Sequence, residues 1–108
     1  STNVSGSQID SQLLRDLTDL LAQKLGKPDS YCSVHISPDQ RMAFGGTEDP
    51  CGHATLLSLG GLSANLNREI SKALADFFST RLGIPPSRCY IRFIDCQRHE
   101  LGWNGGTF

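Results

Sequence analysis

No apolar run in this sequence approaches the roughly 18 residues that a membrane span needs. Its first residues, Ser1-Thr2-Asn3-Val4-Ser5-Gly6-Ser7, lack the basic start and apolar stretch of a secretory signal. An excess of either charge is missing as well. Ten Lys and Arg stand against eleven Asp and Glu, for a formal net charge of −1. That balance gives no electrostatic case for nucleic acid or an acidic membrane as partner. The four cysteines, Cys32, Cys51, Cys89 and Cys96, form no C-x-x-C pair, and no histidine stands at finger-type spacing. A structural zinc site, or any other metal or cofactor, is not expected. The cysteines read as small buried apolar residues, although an even number leaves disulfides open. His53 and His99 receive no role.

What the sequence has is a statement made twice. Leu25-Gly26-Lys27-Pro28-Asp29-Ser30-Tyr31-Cys32 is answered, 57 positions on, by Leu82-Gly83-Ile84-Pro85-Pro86-Ser87-Arg88-Cys89. The match extends backwards: Leu13 pairs with Ile70, Leu17 with Leu74, Asp19 with Asp76, Leu20 with Phe77 and Leu21 with Phe78. Two copies do not make a stacked array, which needs about three or more units. They make one compact domain, residues 1–108, from two similar halves.

Each half reads as a helix followed by a strand. Ile9, Leu13, Leu14, Leu17, Leu20, Leu21 and Leu25 recur at helical spacing, opposite Arg15, Asp16, Asp19 and Gln23. Asp10 is the expected N-cap, and Gly26 with Pro28 the stop. The repeat shift carries Asp10 onto Asn67 as the expected second cap, and the second stop is Gly83-Ile84-Pro85-Pro86. Cys32, Val34 and Ile36 then alternate with Tyr31, Ser33 and His35. Cys89, Ile91 and Phe93 alternate with Arg88, Tyr90 and Arg92, so Tyr90 and Arg92 should leave the face opposite the helices. Gln40–Phe44 reads as a short strand closed by Gly45-Gly46. Ala54–Leu59 is apolar on both faces and should be central. The closing segment carries the Asn104-Gly105 turn signal.

The predicted fold class is therefore α/β, more strictly α+β: βαββαβ, with two helices on one face of a four-stranded mixed sheet. Its first strand should begin about four or more residues ahead of Ser1, because Ala54–Leu59 maps onto positions −3 to 2. Two helices cannot cover both faces of the sheet, and the bare apolar face predicts self-association.

The segments Pro38-Asp39-Gln40-Arg41-Met42-Ala43-Phe44-Gly45-Gly46, Pro50-Cys51, Ser58-Leu59-Gly60, Cys89-Tyr90-Ile91 and Gly102-Trp103-Asn104-Gly105-Gly106-Thr107-Phe108 closely resemble the macrophage migration inhibitory factor family of the tautomerase superfamily. The resemblance spans essentially the whole chain without a gap. It implies homotrimeric βαββαβ subunits and keto–enol tautomerisation of phenylpyruvate-like acids and dopachrome, an isomerase activity. In animals it implies cytokines of innate immunity and the inflammatory response. These are cytoplasmic and are secreted without a signal peptide, and an invariant-chain-type receptor recognises them. The family's general base is the secondary amine of an N-terminal proline, expected about five residues ahead of Ser1; none of residues 1–108 replaces it. The chain without that proline is expected to be catalytically impaired.

The resemblance also assigns side chains. Lys27 matches the lysine that binds the substrate carboxylate; without the family it reads as a cation complementing a helix C-terminus. Ser58 and Leu59 match contacts at the pocket floor. Tyr90 and Arg92 match positions that line a neighbouring subunit's pocket, although the well-known vertebrate members carry Asn where Arg92 stands. Trp103 and Phe108 match the aromatic wall, near Tyr31 and His35, and core packing is the competing reading for both. The family's C-x-x-C beginning at Cys51 is broken by Ala54, so thioredoxin-like chemistry is not supported. Two other functions compete. One is a signalling or binding protein that keeps the fold without catalysis. The other is a nucleic-acid-binding βαββαβ domain, which the charge disfavours.

Overall fold

The computed structural model describes residues 1–108. Helix α1 runs Ser11–Leu25, strand β1 Gly52–Ser58, helix α2 Ala64–Leu82 and strand β2 Cys89–Asp95. A closing hairpin pairs β3, Gly102–Trp103, with β4, Gly106–Thr107. Asn104 and Gly105 form its turn with φ of 52° and 79°, both in the left-handed region that such tight turns require.

The helix signals act as their chemistry dictates. The Asp10 carboxylate accepts from the Leu13 amide at 2.8 Å, closing the first turn of α1. Gly26 and Gly83 end the two helices in the left-handed region, with φ of 63° and 68°. The second cap departs from the repeat. Ser63, not Asn67, caps α2, its hydroxyl accepting from the Leu66 amide at 3.1 Å. The helix starts one turn earlier than the repeat shift predicts, which brings Leu66 onto the core beside Leu62. Asn67 lies inside the helix, and its Oδ1 is buried without a partner.

Strands β1 and β2 pair in parallel, from Gly52 opposite Cys89 to Ser58 opposite Asp95, with α2 as the crossover between them. Leu17 of α1, Ile70 and Leu74 of α2, and Leu56 of β1 form one buried cluster, with Ile91 and Phe93 packed on it. Both helices therefore cover one face of this sheet. Val4, Leu13, Leu82 and Ile84 form a second cluster. All four apolar repeat pairs contribute: Leu13 with Ile70 and Leu17 with Leu74 are buried, and Leu20 with Phe77 and Leu21 with Phe78 are partly buried against them. The outer face carries Leu57, 47% exposed, and Tyr90, 69% exposed.

The two other expected strands are less regular. Between Tyr31 and Ile36 exposure alternates with period 2, with Cys32, Val34 and Ile36 inward, yet Ser33–Ile36 make no backbone ladder. Gln40–Phe44 contributes the Phe44–Thr47 bridge around Gly45 and Gly46 and one bond from the Gln40 amide to the Thr2 carbonyl at 3.0 Å. The beginning of the chain lies between these parts. The Thr2 amide donates to the Ser37 carbonyl on one side, while Ser1 and His53 exchange backbone hydrogen bonds of 2.8 and 2.9 Å on the other. The loop after Phe44 is held by one side chain. Arg88 donates to the carbonyls of Phe44, Thr47, Asp49 and Pro50 and lies over the Phe44 ring.

Candidate functional site

Between β1 and the Tyr31–Ile36 segment a groove runs over the helices, from Ser1 at one end to Lys27 and Ser58 at the other. Apolar side chains from α1, α2 and β1 form its floor, among them Leu17, Leu21, Leu56 and Leu74. No aspartate or glutamate lines it, whereas Lys27 and Arg98 do. At the end where Lys27 stands, fixed positive charge against an apolar wall favours a small organic anion.

Lys27 is the best-held group in the cavity. It directly follows the Gly26 helix stop, so the chain turns out of α1 and carries its side chain across to β1. The ammonium donates to Ser58 Oγ at 2.8 Å and to the Leu59 carbonyl at 3.0 Å. Ser58 is buried and passes its own hydroxyl hydrogen to the Gly60 carbonyl at 2.8 Å. The Gly60 amide in turn donates to Asp95 Oδ1 at 2.9 Å. Lys27 has three donors, no carboxylate partner and two neutral acceptors. One N–H is therefore left for a ligand. The repeat counterpart, Ile84, is buried core instead, so the scaffold does not need a cation at this position.

An aromatic group stands at the rim. Phe108 stacks on Trp103 with centroids 5.4 Å apart, and Tyr31 meets both rings edge-on at 5.9 and 5.6 Å. Tyr31, His35 and Phe108 line the cavity; Trp103 reaches it only through these contacts and is itself half exposed. The cavity thus brings together Lys27, Ser58, Leu59, Tyr31, His35 and Phe108.

It does not include Tyr90 or Arg92. Both leave the outer face of β2, where Tyr90 packs on Phe44 at 4.9 Å and near His53. They are exposed on the side of the protomer that faces away from its own helices.

Arg98 and Leu101 line the cavity without having been read from the sequence. They sit in the turn after β2, folded back by a reciprocal cap. The Gln97 amide donates to the Glu100 carboxylate at 3.0 Å while the Gln97 side chain accepts from the backbone at Glu100. Gln97-x-x-Glu100 is the signal that could have located this turn. The Phe108 amide closes it by donating to the Leu101 carbonyl.

A family profile described as "Macrophage migration inhibitory factor (MIF)" matches residues 1–108. Macrophage migration inhibitory factor of Xenopus tropicalis is 44% identical over 107 residues, covering 99% of this chain and 93% of that protein. The structure of the factor from Trichinella spiralis aligns with a TM-score of 0.95 at 41% identity, covering 99% of this chain and 95% of the other. A homologue from Prochlorococcus marinus aligns at 0.93 and 32% identity, over 99% and 94%.

Proposed function

This chain belongs to the macrophage migration inhibitory factor family, and from that premise we propose that it is a cytokine-like keto–enol tautomerase acting on phenylpyruvate-like and dopachrome-like acids. One observation carries the reading: the direction in which the chain enters the cavity. Ser1 pairs antiparallel with His53, so each residue upstream of Ser1 advances one position along β1, and the fifth falls opposite Ser58. Ser58 is the residue that holds the Lys27 ammonium. A terminal proline about five residues upstream, as the family carries, would bring its amine to the cation that binds the substrate carboxylate.

The chemistry follows from that neighbourhood. An α-amino group titrates near about 7.7–8.0 in water. Apolar walls disfavour its cation and lower that value, leaving a useful fraction neutral at pH 7. Lys27 fixes the keto acid by its carboxylate, and the Phe108 side of the rim holds the aryl ring. The neutral amine then removes a proton from the carbon beside the ketone and becomes an ammonium; the enol forms as the carbonyl oxygen takes up a proton from water, and the ammonium returns its proton to solvent. No metal or cofactor is needed.

The exposed outer face supports homotrimer assembly, with Tyr90 and Arg92 delivered to the pocket of a neighbouring subunit. As a signalling protein the trimer would act from both cytoplasm and extracellular space, through an invariant-chain-type receptor.

The test is kinetic, on the chain carrying the upstream proline. Lys27→Ala removes a charge-assisted hydrogen bond of about 1.5–3 kcal/mol. The Michaelis constant for phenylpyruvate should rise roughly ten- to a hundredfold, while removal of the proline should abolish enolisation. An unchanged Michaelis constant in the lysine variant, or full activity without the proline, would refute the assignment.

A further inference from the structure

We infer that Arg98 is a specificity-determining residue that makes this pocket prefer small keto acids with a second anionic group. The inference rests on the pocket reading above and deepens it by naming the substrate class. Arg98 stands at the Lys27 end of the groove, on a turn that leaves β2 at Asp95, opposite Ser58, and that the Gln97–Glu100 cap and the Phe108 amide close. Its guanidinium has neither a hydrogen bond nor an ion-pair partner, although five arginine or lysine carboxylate pairs occur elsewhere in the molecule. Glu100, the nearest acid in sequence, is occupied by the Gln97 amide. No aspartate or glutamate side chain on the wall stands against it.

The two cations differ in kind. Lys27 is anchored by two neutral acceptors and offers one remaining donor, which suits a single carboxylate oxygen. Arg98 is exposed at the mouth and offers a planar fork, which suits a second carboxylate held bidentately. A monoanion such as phenylpyruvate engages only the first. A diacid whose distal carboxylate extends past Phe108 engages both. Because Arg98 is exposed, its gain is limited by water and salt and amounts to a preference of about fivefold, not an absolute requirement.

The chain carrying the proline segment expected ahead of Ser1 is titrated with phenylpyruvate and with its para-carboxylated analogue. Occupancy is read from the indole N–H resonance of Trp103, the single tryptophan. The wild type should bind the diacid about fivefold more tightly than the monoacid, and the margin should shrink at high salt. Arg98→Gln should remove the preference by weakening diacid binding more than monoacid binding, and Arg98→Lys should restore part of it. A wild type without preference, or a glutamine variant that keeps it, overturns the inference while normal phenylpyruvate turnover leaves the tautomerase reading intact. Conversely, a preserved Arg98-dependent preference in a protein that enolises neither acid defeats that reading and leaves this one standing.

Discussion

Asp16 and Asp29 each lie against an arginine, and their titration ties stability to pH. The Asp16 carboxyl is held below its ordinary value by the hydrogen bond from Arg81 at 2.7 Å, then by that from Gln12. Asp29 is held low by its hydrogen bond and charge interaction with Arg15 at 2.6 Å. A depressed folded-state value means the favourable contribution is complete above the ordinary carboxylate range near 3.8 and is lost as pH falls through the folded value beneath it. The urea midpoint should therefore drop as pH is lowered below about 4, and Asp16→Asn should flatten part of that drop. An unchanged pH profile in the variant would show that the Arg81 contact carries no linkage. Among the thiols, burial pushes Cys89 up, so it stays protonated at neutral pH; all four cysteines are free, and only Cys51 is fully buried. At this scale the sequence was a partial guide. Lys27 stood out through the family resemblance; by residue pattern alone it read as a cation complementing a helix C-terminus, and its repeat partner Ile84 shows that the scaffold does not need it. Arg98 was not singled out: it sits in a turn that the Gln97-x-x-Glu100 pattern could have located, but its approach to Lys27 depends on the Phe108 amide bond to Leu101, which joins distant parts of the chain.

The helices were the most legible elements, because a 3.6-residue pattern, a cap and a glycine stop agree in each. Their first residues were less so. Repeat logic chose Asn67 over Ser63, but an added turn that buries Leu66 outweighs symmetry between the halves. Asp10→Ala and Ser63→Ala should each lower unfolding free energy by about 1 kcal/mol. Asn67→Ala, whose side-chain oxygen has no partner to lose, should stay within about 0.5 kcal/mol in denaturant titrations. A larger loss at Asn67 than at Ser63 would reverse this ranking. The strands divided differently. Ala54–Leu59 and Cys89–Phe93 were readable from composition and alternation, and the paired core of the sheet is Gly52–Ser58 with Cys89–Asp95, so Leu59 falls just beyond the ladder. Cys32–Ile36 shows the expected alternation of exposure without a ladder, since period 2 specifies faces and says nothing of neighbours.

For the molecule as a whole, the sheet is covered on one side only. Leu57 and Tyr90 stand on the open side. In solution the chain should run as a trimer at about three times its mass of 11.8 kDa by light scattering. Leu57→Glu should shift it toward the monomer, because an isolated charge in an apolar contact costs several kcal/mol. A monodisperse wild-type monomer would contradict this assembly. The expectation came from topology: a two-helix βαββαβ layer leaves a face bare whichever residues occupy it. The sequence could not disclose how much of that face is apolar, since exposure depends on register, and register is set by the Gly52–Cys89 alignment.

The Arg88 clasp distributes mutational freedom unevenly. Its four acceptors are all main-chain carbonyls, at Phe44, Thr47, Asp49 and Pro50. Carbonyls are present whatever the side chain, so the identities of residues 47 and 49 do not enter the contact. Sequence drift in this loop is thus tolerated as far as the clasp is concerned, and the constraint that would ordinarily be shared among several positions is concentrated in a single codon.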